Sequence, residues 1–253
     1  MPEALLSPGI GPGAALILLA TSFLTSATTA AFGLGGGLAM LAVLGLYLPV
    51  ALLIPVHGLV QLGSNVGRVL VQWRKVAWWA VWPFLGGSLI GAALGAQFVV
   101  ALPEAVLQVS LGLFILVLTY VPLPRAGRMG RAGFAGFGVF MTILSMFFGA
   151  TGPVNAGVFA QTFDDRETMV GTMAATTAIQ HALKGVAFFS LGVVFSPYVP
   201  LTAAMIATGF AGTVLGTRVL KRLDETWFRR ILKGVLTVLA FDFLRRGLFP
   251  RGS

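Results

Sequence analysis

Phe32-Gly33-Leu34-Gly35-Gly36-Gly37 interrupts a chain that is otherwise apolar on both sides of it. Glycine frees the backbone from helical dihedrals, and four glycines in five residues break almost any helix. In a water-soluble chain such a run is a loop. Here the flanking runs are so apolar that the break is expected at membrane depth, where irregular backbone survives only if it lines a cavity or is buried in protein. A weaker copy, Phe148-Gly149-Ala150-Thr151-Gly152-Pro153, stands 116 positions later. The pair suggests two broken helices forming a transport site.

Composition sets the class. Of 253 residues, 57% are hydrophobic and 10% charged, with a mean hydropathy of +0.92. An ordinary soluble domain carries about 25% charged residues, so the chain reads as a polytopic membrane protein with the lipid bilayer as its surroundings. The net charge is +9, from 17 basic and 8 acidic residues. These charges sit in short clusters between apolar runs, the pattern of cytoplasmic loops under the positive-inside rule rather than a nucleic-acid surface. No cysteine is present, which excludes disulfides, iron–sulfur clusters and thiolate metal sites. The N-terminal stretch lacks a basic n-region, so the first apolar run reads as a retained helix. Residues 251–253 read as a protease-site remnant.

Ten segments follow in order: 14–31, the short run 38–48, 50–71, 77–101, 105–121, then 132–148, the short run 154–163, 168–191, 201–217 and 231–244. Eleven helical residues rise only about 16 Å, roughly half a hydrocarbon core, so each short run either crosses partly or re-enters. The tryptophans at 73, 78, 79 and 82 suggest an interfacial belt. The halves align: Gly91-x-x-x-Gly95 on Gly212-x-x-x-Gly216, and Leu102-Pro103-Glu104 on Leu223-Asp224-Glu225, both 121 positions on. Gln61 falls on Gln180 and Asn65 on Lys184, 119 positions on.

Charge gives the symmetry. The turn with Arg74 and Lys75 is basic, while its counterpart around Ser196-Pro197 is uncharged. The turn at Leu102 to Glu104 has no base, while its counterpart between Arg218 and Arg230 has five. Equivalent loops therefore face opposite sides, and each half crosses an odd number of times. The expected fold is all-α: two inverted-topology repeats of about five helical segments each, with broken or re-entrant helices at the glycine motifs. Residues 1–122 form the first repeat, 123–130 a cytoplasmic connection and 131–250 the second repeat. Arg245 and Arg246 fall on the outer side against the rule. Asp242, three and four positions before them, is placed to neutralise them.

Polar residues at membrane depth carry the functional reading, because each is costly there unless paired or hydrated. His57, Gln61, Ser64, Asn65 and Arg68 form one helical stripe, and Thr177, Gln180, His181 and Lys184 form its counterpart. Gln61 and Gln180 are read as amide arms of a shared cavity, and Lys184 as the counter-charge of an anion. Arg68, close to Arg74 and Lys75, is read as interfacial. His57 and His181 are candidates for proton coupling. Gly35, Gly36 and Gly37 present backbone donors at a helix start, which favours anions; Thr28, Thr29, Thr151 and Asn155 add neutral donors. The glycine run lacks the G-x-G-x-x-G spacing of a dinucleotide loop, and no Walker A motif is present. The acids lie almost wholly in turns, and two separated histidines do not make a metal site, so no enzymatic activity, cofactor or metal is expected.

The chain resembles the sulfite exporter TauE/SafE family over nearly its whole length. The resemblance rests on the Phe32 to Gly37 break opening a short apolar run and on the turn Trp73-Arg74-Lys75-Val76-Ala77-Trp78. Gly86 to Gly95 followed by Leu102-Pro103, and Ala174-Ala175-Thr176-Thr177 in the second half, add to it. It implies a transporter of small sulfur oxyanions or organosulfonates. The second break departs from the family's G-x-G-G-G form, with Ala150, Thr151 and Pro153, and Thr151 and Asn155 are placed to replace bare backbone as donors. The expected protein is a secondary transporter moving a small anion by alternating access, in a multi-pass arrangement in the plasma membrane, with a bacterial inner membrane as the setting and a homodimer as the candidate assembly. A passive anion pore and a non-transporting scaffold are the alternatives.

Overall fold

The computed structural model describes residues 7–32, 35–99, 103–121, 127–218 and 225–249. Ten α-helices are present among them: α1 (Pro12–Phe32), α2 (Gly36–Leu44), α3 (Val50–Gln72), α4 (Trp78–Val99), α5 (Glu104–Tyr120), α6 (Arg131–Phe148), α7 (Gly152–Thr162), α8 (Arg166–Ser190), α9 (Val199–Arg218) and α10 (Glu225–Leu248). Every apolar run becomes a helix. Gly33 and Leu34 of the first break, Leu102, residues 123–126 of the connection, the turn residues 219–224 and residues 250–253 lie outside the described residues. The last helix begins six residues before the expected 231, because charged residues with long unbranched side chains are good helix formers and a basic run need not be a turn.

Among the described residues, four helical stretches are long and apolar enough to cross a membrane: Pro12–Ala31, Trp78–Gln97, Arg131–Phe148 and Ser196–Gly216. They belong to two tightly packed pairs, α1 with α9 and α4 with α6. Small residues allow the close approach. Gly87 and Gly91 of α4 lie against the Ala135 and Val139 carbonyls of α6, and Gly138 of α6 against the Phe84 carbonyl. Gly212 and Gly216 of α9 lie against the Phe23 and Ala27 carbonyls of α1. In both pairs residue numbers rise together, so each pair runs parallel.

The other long helices pair antiparallel. On α3 and α8, Gly58 meets Lys184 while Gly171 meets Gln72; on α5 and α10, Gly112 meets Ala240 and Leu244 while Gly247 meets Val109. The polar stripes of α3 and α8 face inward, which is why neither helix reads as a simple apolar span. The short helix α2 folds back along α1, with Gly36 against Thr25 and Thr29.

One end of the molecule gathers the basic turn. Lys75 bonds Glu167 at 3.2 Å, Arg128 pairs with Asp164, and the Ala77 N–H donates to Thr172 Oγ1 at 2.9 Å. Asp165 caps α8, accepting from the Thr168 N–H at 3.0 Å and its hydroxyl at 2.6 Å. These bonds hold its carboxyl below the ordinary carboxylate range, and the bond to Glu167 raises the Lys75 ammonium. Trp73, Trp78 and Trp82 are exposed around this end, as an interfacial belt requires. At the opposite end Asp242 binds Arg245 at 2.8 Å and Arg246 at 2.6 Å, the neutralisation expected from their spacing. Arg246 also donates to the Gly45 carbonyl at 3.2 Å, closing the C-terminal end of α2.

Candidate functional site

Among the described residues, each break holds one glycine in the left-handed half of backbone space. Gly35, the N-cap of α2, has φ 92° and ψ −34°; Gly149, directly after α6, has φ 75° and ψ −44°. A side chain at either position would be strained. At Gly149 the chain makes a three-residue turn, with the Ala150 N–H bonded to the Phe148 carbonyl at 2.8 Å. The second break thus keeps the one glycine its backbone needs although its sequence has shed others. Neither α2 nor α7 has a side-chain cap, so the first-turn N–H groups of both rely on other acceptors.

Side chains of the long inner helices reach each break. On α3, His57 Nε2 lies 2.9 Å from the Gly37 carbonyl, and the Gln61 amide sits beside Gly37. On α8, Gln180 Oε1 accepts from Thr151 Oγ1 and from Asn155 Nδ2, each at 3.4 Å, and Asn155 also donates to Thr177 Oγ1 at 3.4 Å. The glutamines matched by the repeat alignment therefore each serve their own break.

Between the breaks lies a cavity of about 40 Å³, room for on the order of three waters and hence for a small oxyanion. Its lining runs along α3 from His57 to Arg68, about 16 Å at helical rise. Of the expected ligands, Thr29, Gly35, Gly37, Gln61, Asn65, Thr151 and Thr177 line it, as do His57 and His181. The two imidazoles meet edge to face, 5.8 Å between centroids at 79°. Asn155 and Gln180 stand behind Thr151 as its hydrogen-bonded support. Thr28 bonds back to the Thr25 carbonyl of its own helix at 2.9 Å, and Gly36 is buried against α1; neither lines the cavity.

Lys184 is also outside the lining. Its ammonium is fully buried and donates to the Gly149 carbonyl at 3.0 Å, Ser145 Oγ at 3.3 Å and the Ser145 carbonyl at 3.4 Å. It caps the C-terminal end of α6 and anchors the second break, an arrangement that the negative end of the helix dipole favours.

Arg68 is where structure and expectation differ most. Instead of lying at the interface it is 2% exposed and lines the cavity. Its Nη1 donates to Asn65 Oδ1 at 3.2 Å, and Asn65 is itself fixed by donating to the Gln61 carbonyl at 2.8 Å. The sequence did carry a signal, since Arg68 lies on the stripe of His57, Gln61 and Asn65; nearness to Arg74 obscured it. The interfacial role falls instead to Trp73, Arg74 and Lys75, all exposed beyond the end of α3.

A family model described as Sulfite exporter TauE/SafE matches residues 18–243. No curated protein and no solved structure matches the chain.

Proposed function

The chain belongs to the sulfite exporter TauE/SafE family, a family of multi-pass membrane transporters, and from that premise we propose that it is a secondary transporter of a small sulfur oxyanion or organosulfonate. The observation that carries the substrate class is the cavity itself: two helix starts behind left-handed glycines border it, neutral donors line it, and Arg68 is the charged residue in its wall. The substrate-binding set is Thr29, Gly35, Gly37, Gln61, Asn65, Thr151 and Thr177, with Asn155, Gln180 and Lys184 holding the second break in position. His57 and His181 are the groups through which protons would couple.

We read residues 1–122 and 131–250 as inverted repeats joined by 123–130. The exchanged pairing supports this: α1 packs parallel on α9 as its counterpart α6 does on α4, while α3 with α8 and α5 with α10, each a helix and its own counterpart, run antiparallel. Opposed breaks at one central cavity are the geometry that alternating access needs. The basic end with Arg74, Lys75 and Arg128 faces the cytoplasm, and a bacterial inner membrane is the proposed setting.

The test is the melting temperature of the detergent-purified protein across sulfite, sulfate, thiosulfate, taurine, sulfoacetate and divalent metal cations. A ligand that binds the folded state at 100 times its Kd stabilises it by about 2.7 kcal/mol, a readily measured rise. Sulfite or a sulfonate is expected to give it. A rise with the cations and none with any anion would sink the anion reading.

A further inference from the structure

Resting on the anion-transport reading, we propose that Arg68 is the residue that takes the anion's charge, gripping two oxygens of an oxyanion with its guanidinium while Asn65 holds that guanidinium in place. Two cationic side chains are buried in the described structure, Arg68 and Lys184, and they differ in what they touch. An ammonium has three donors, and Lys184 has three acceptors in Ser145 and Gly149. A guanidinium has five donors, and the bond to Asn65 is the one hydrogen bond that the Arg68 guanidinium makes among the described residues. Its Nε is buried and has no partner among them.

No carboxylate among the described residues is available to balance it. Among the described residues no acidic side chain is buried. Asp164, Glu167 and Asp242 are paired with Arg128, Lys75 and the arginines at 245 and 246, and Asp165 caps α8. Glu104 lies at the exposed start of α5. A guanidinium keeps its charge where an ammonium or imidazole would surrender it, so the charge at Arg68 is permanent. A buried charge without a partner is costly, and a cavity occupant with negative oxygens removes that cost. The planar fork matches two oxygens of one sulfur centre, which favours oxyanions over halides of equal charge. Lys184, with its donors spent on the second break, is a positioning residue.

The experiment compares the wild-type protein with Arg68→Gln and Arg68→Lys, purified in detergent in a low-chloride buffer without sulfonates, each titrated with sodium sulfite while the melting temperature is read. The wild type is expected to show a saturable rise. Arg68→Gln should show no rise and should melt no lower than the wild type before sulfite is added, because a neutral side chain removes the unbalanced charge. Arg68→Lys keeps the charge without the fork, and its half-saturating sulfite concentration should increase at least tenfold. Sodium chloride titrated in parallel should not reproduce the wild-type rise. A sulfite rise retained in Arg68→Gln, an unchanged half-saturation in Arg68→Lys, or a lower sulfite-free melting temperature in Arg68→Gln would overturn the assignment, the last by making Arg68 a structural brace. If another anion stabilises the wild type and all variants alike, the assignment fails and the transport reading stands. If no anion stabilises the wild type, both fail.

Discussion

Gly36→Ala is expected to destabilise the protein at or above the upper end of the about 1–3 kcal/mol typical of overpacked cores, and to abolish its response to sulfite. A Cβ at this position would overlap the Thr25 carbonyl and the Thr29 hydroxyl, and the first of these is backbone that no rotamer change can move. The short helix would have to lift away from α1. Gly37, which lines the cavity with Thr29 of α1, would move with it and away from Thr29, and so would the Gly37 carbonyl that His57 contacts. Thermal melting with and without sulfite reads both effects. Gly86→Ala is the control: it sits in a helix interior where an added Cβ meets no neighbour, and alanine there should be neutral or slightly stabilising. A Gly36→Ala protein that melts and binds like the wild type would contradict the close approach of α1 and α2.

Lys184→Met is expected to lower stability by about 1–3 kcal/mol, the cost of leaving a buried acceptor unsatisfied. Methionine is unbranched and fills similar space, so the change isolates the ammonium. The Ser145 carbonyl keeps its helical bond from the Gly149 N–H, but the Gly149 carbonyl loses the Lys184 donor. Two effects compete, since removing a buried charge also relieves desolvation. With all three donors engaged the lost bonds outweigh that relief, whereas at Arg68, with one bond, they do not. Opposite signs are therefore expected for the two cations: Lys184→Met melts lower and Arg68→Gln melts no lower. Transport by Lys184→Met should fall as the second break loosens. An unchanged or raised melting temperature would contradict the capping role.

Much of this architecture was legible from the sequence because its signals are local. Gly33 to Gly37 marked a break, the apolar runs marked the helices, and the period of His57, Gln61 and Asn65 placed them on one face. Gln61 and Gln180 stand out by their matched positions in the two halves, and each reaches its own break. What was not legible depends on rotation and on contacts between distant segments. Arg68 lies only six residues before Arg74, and no pattern in a single helix says that one turns inward while the other meets solvent. Lys184 reads as a cation at depth, but its partners are 35 and 39 residues away, on a helix whose approach depends on the fold. Gly36 counted as a ligand by the company it keeps with Gly35 and Gly37. Helical geometry turns it instead onto α1, so of three successive glycines one is for packing and two border the cavity.

The proposed function is carriage of a sulfur oxyanion through the cavity between the two breaks. It is tested most directly by the flux of radiolabelled sulfite into liposomes reconstituted with the wild-type protein, compared with Arg68→Gln and protein-free liposomes. Saturable uptake by the wild type, competed by unlabelled sulfite and reduced to the protein-free level in Arg68→Gln, is expected. Wild-type uptake no faster than that of protein-free liposomes, under gradients of either direction and with and without a pH difference, would contradict it.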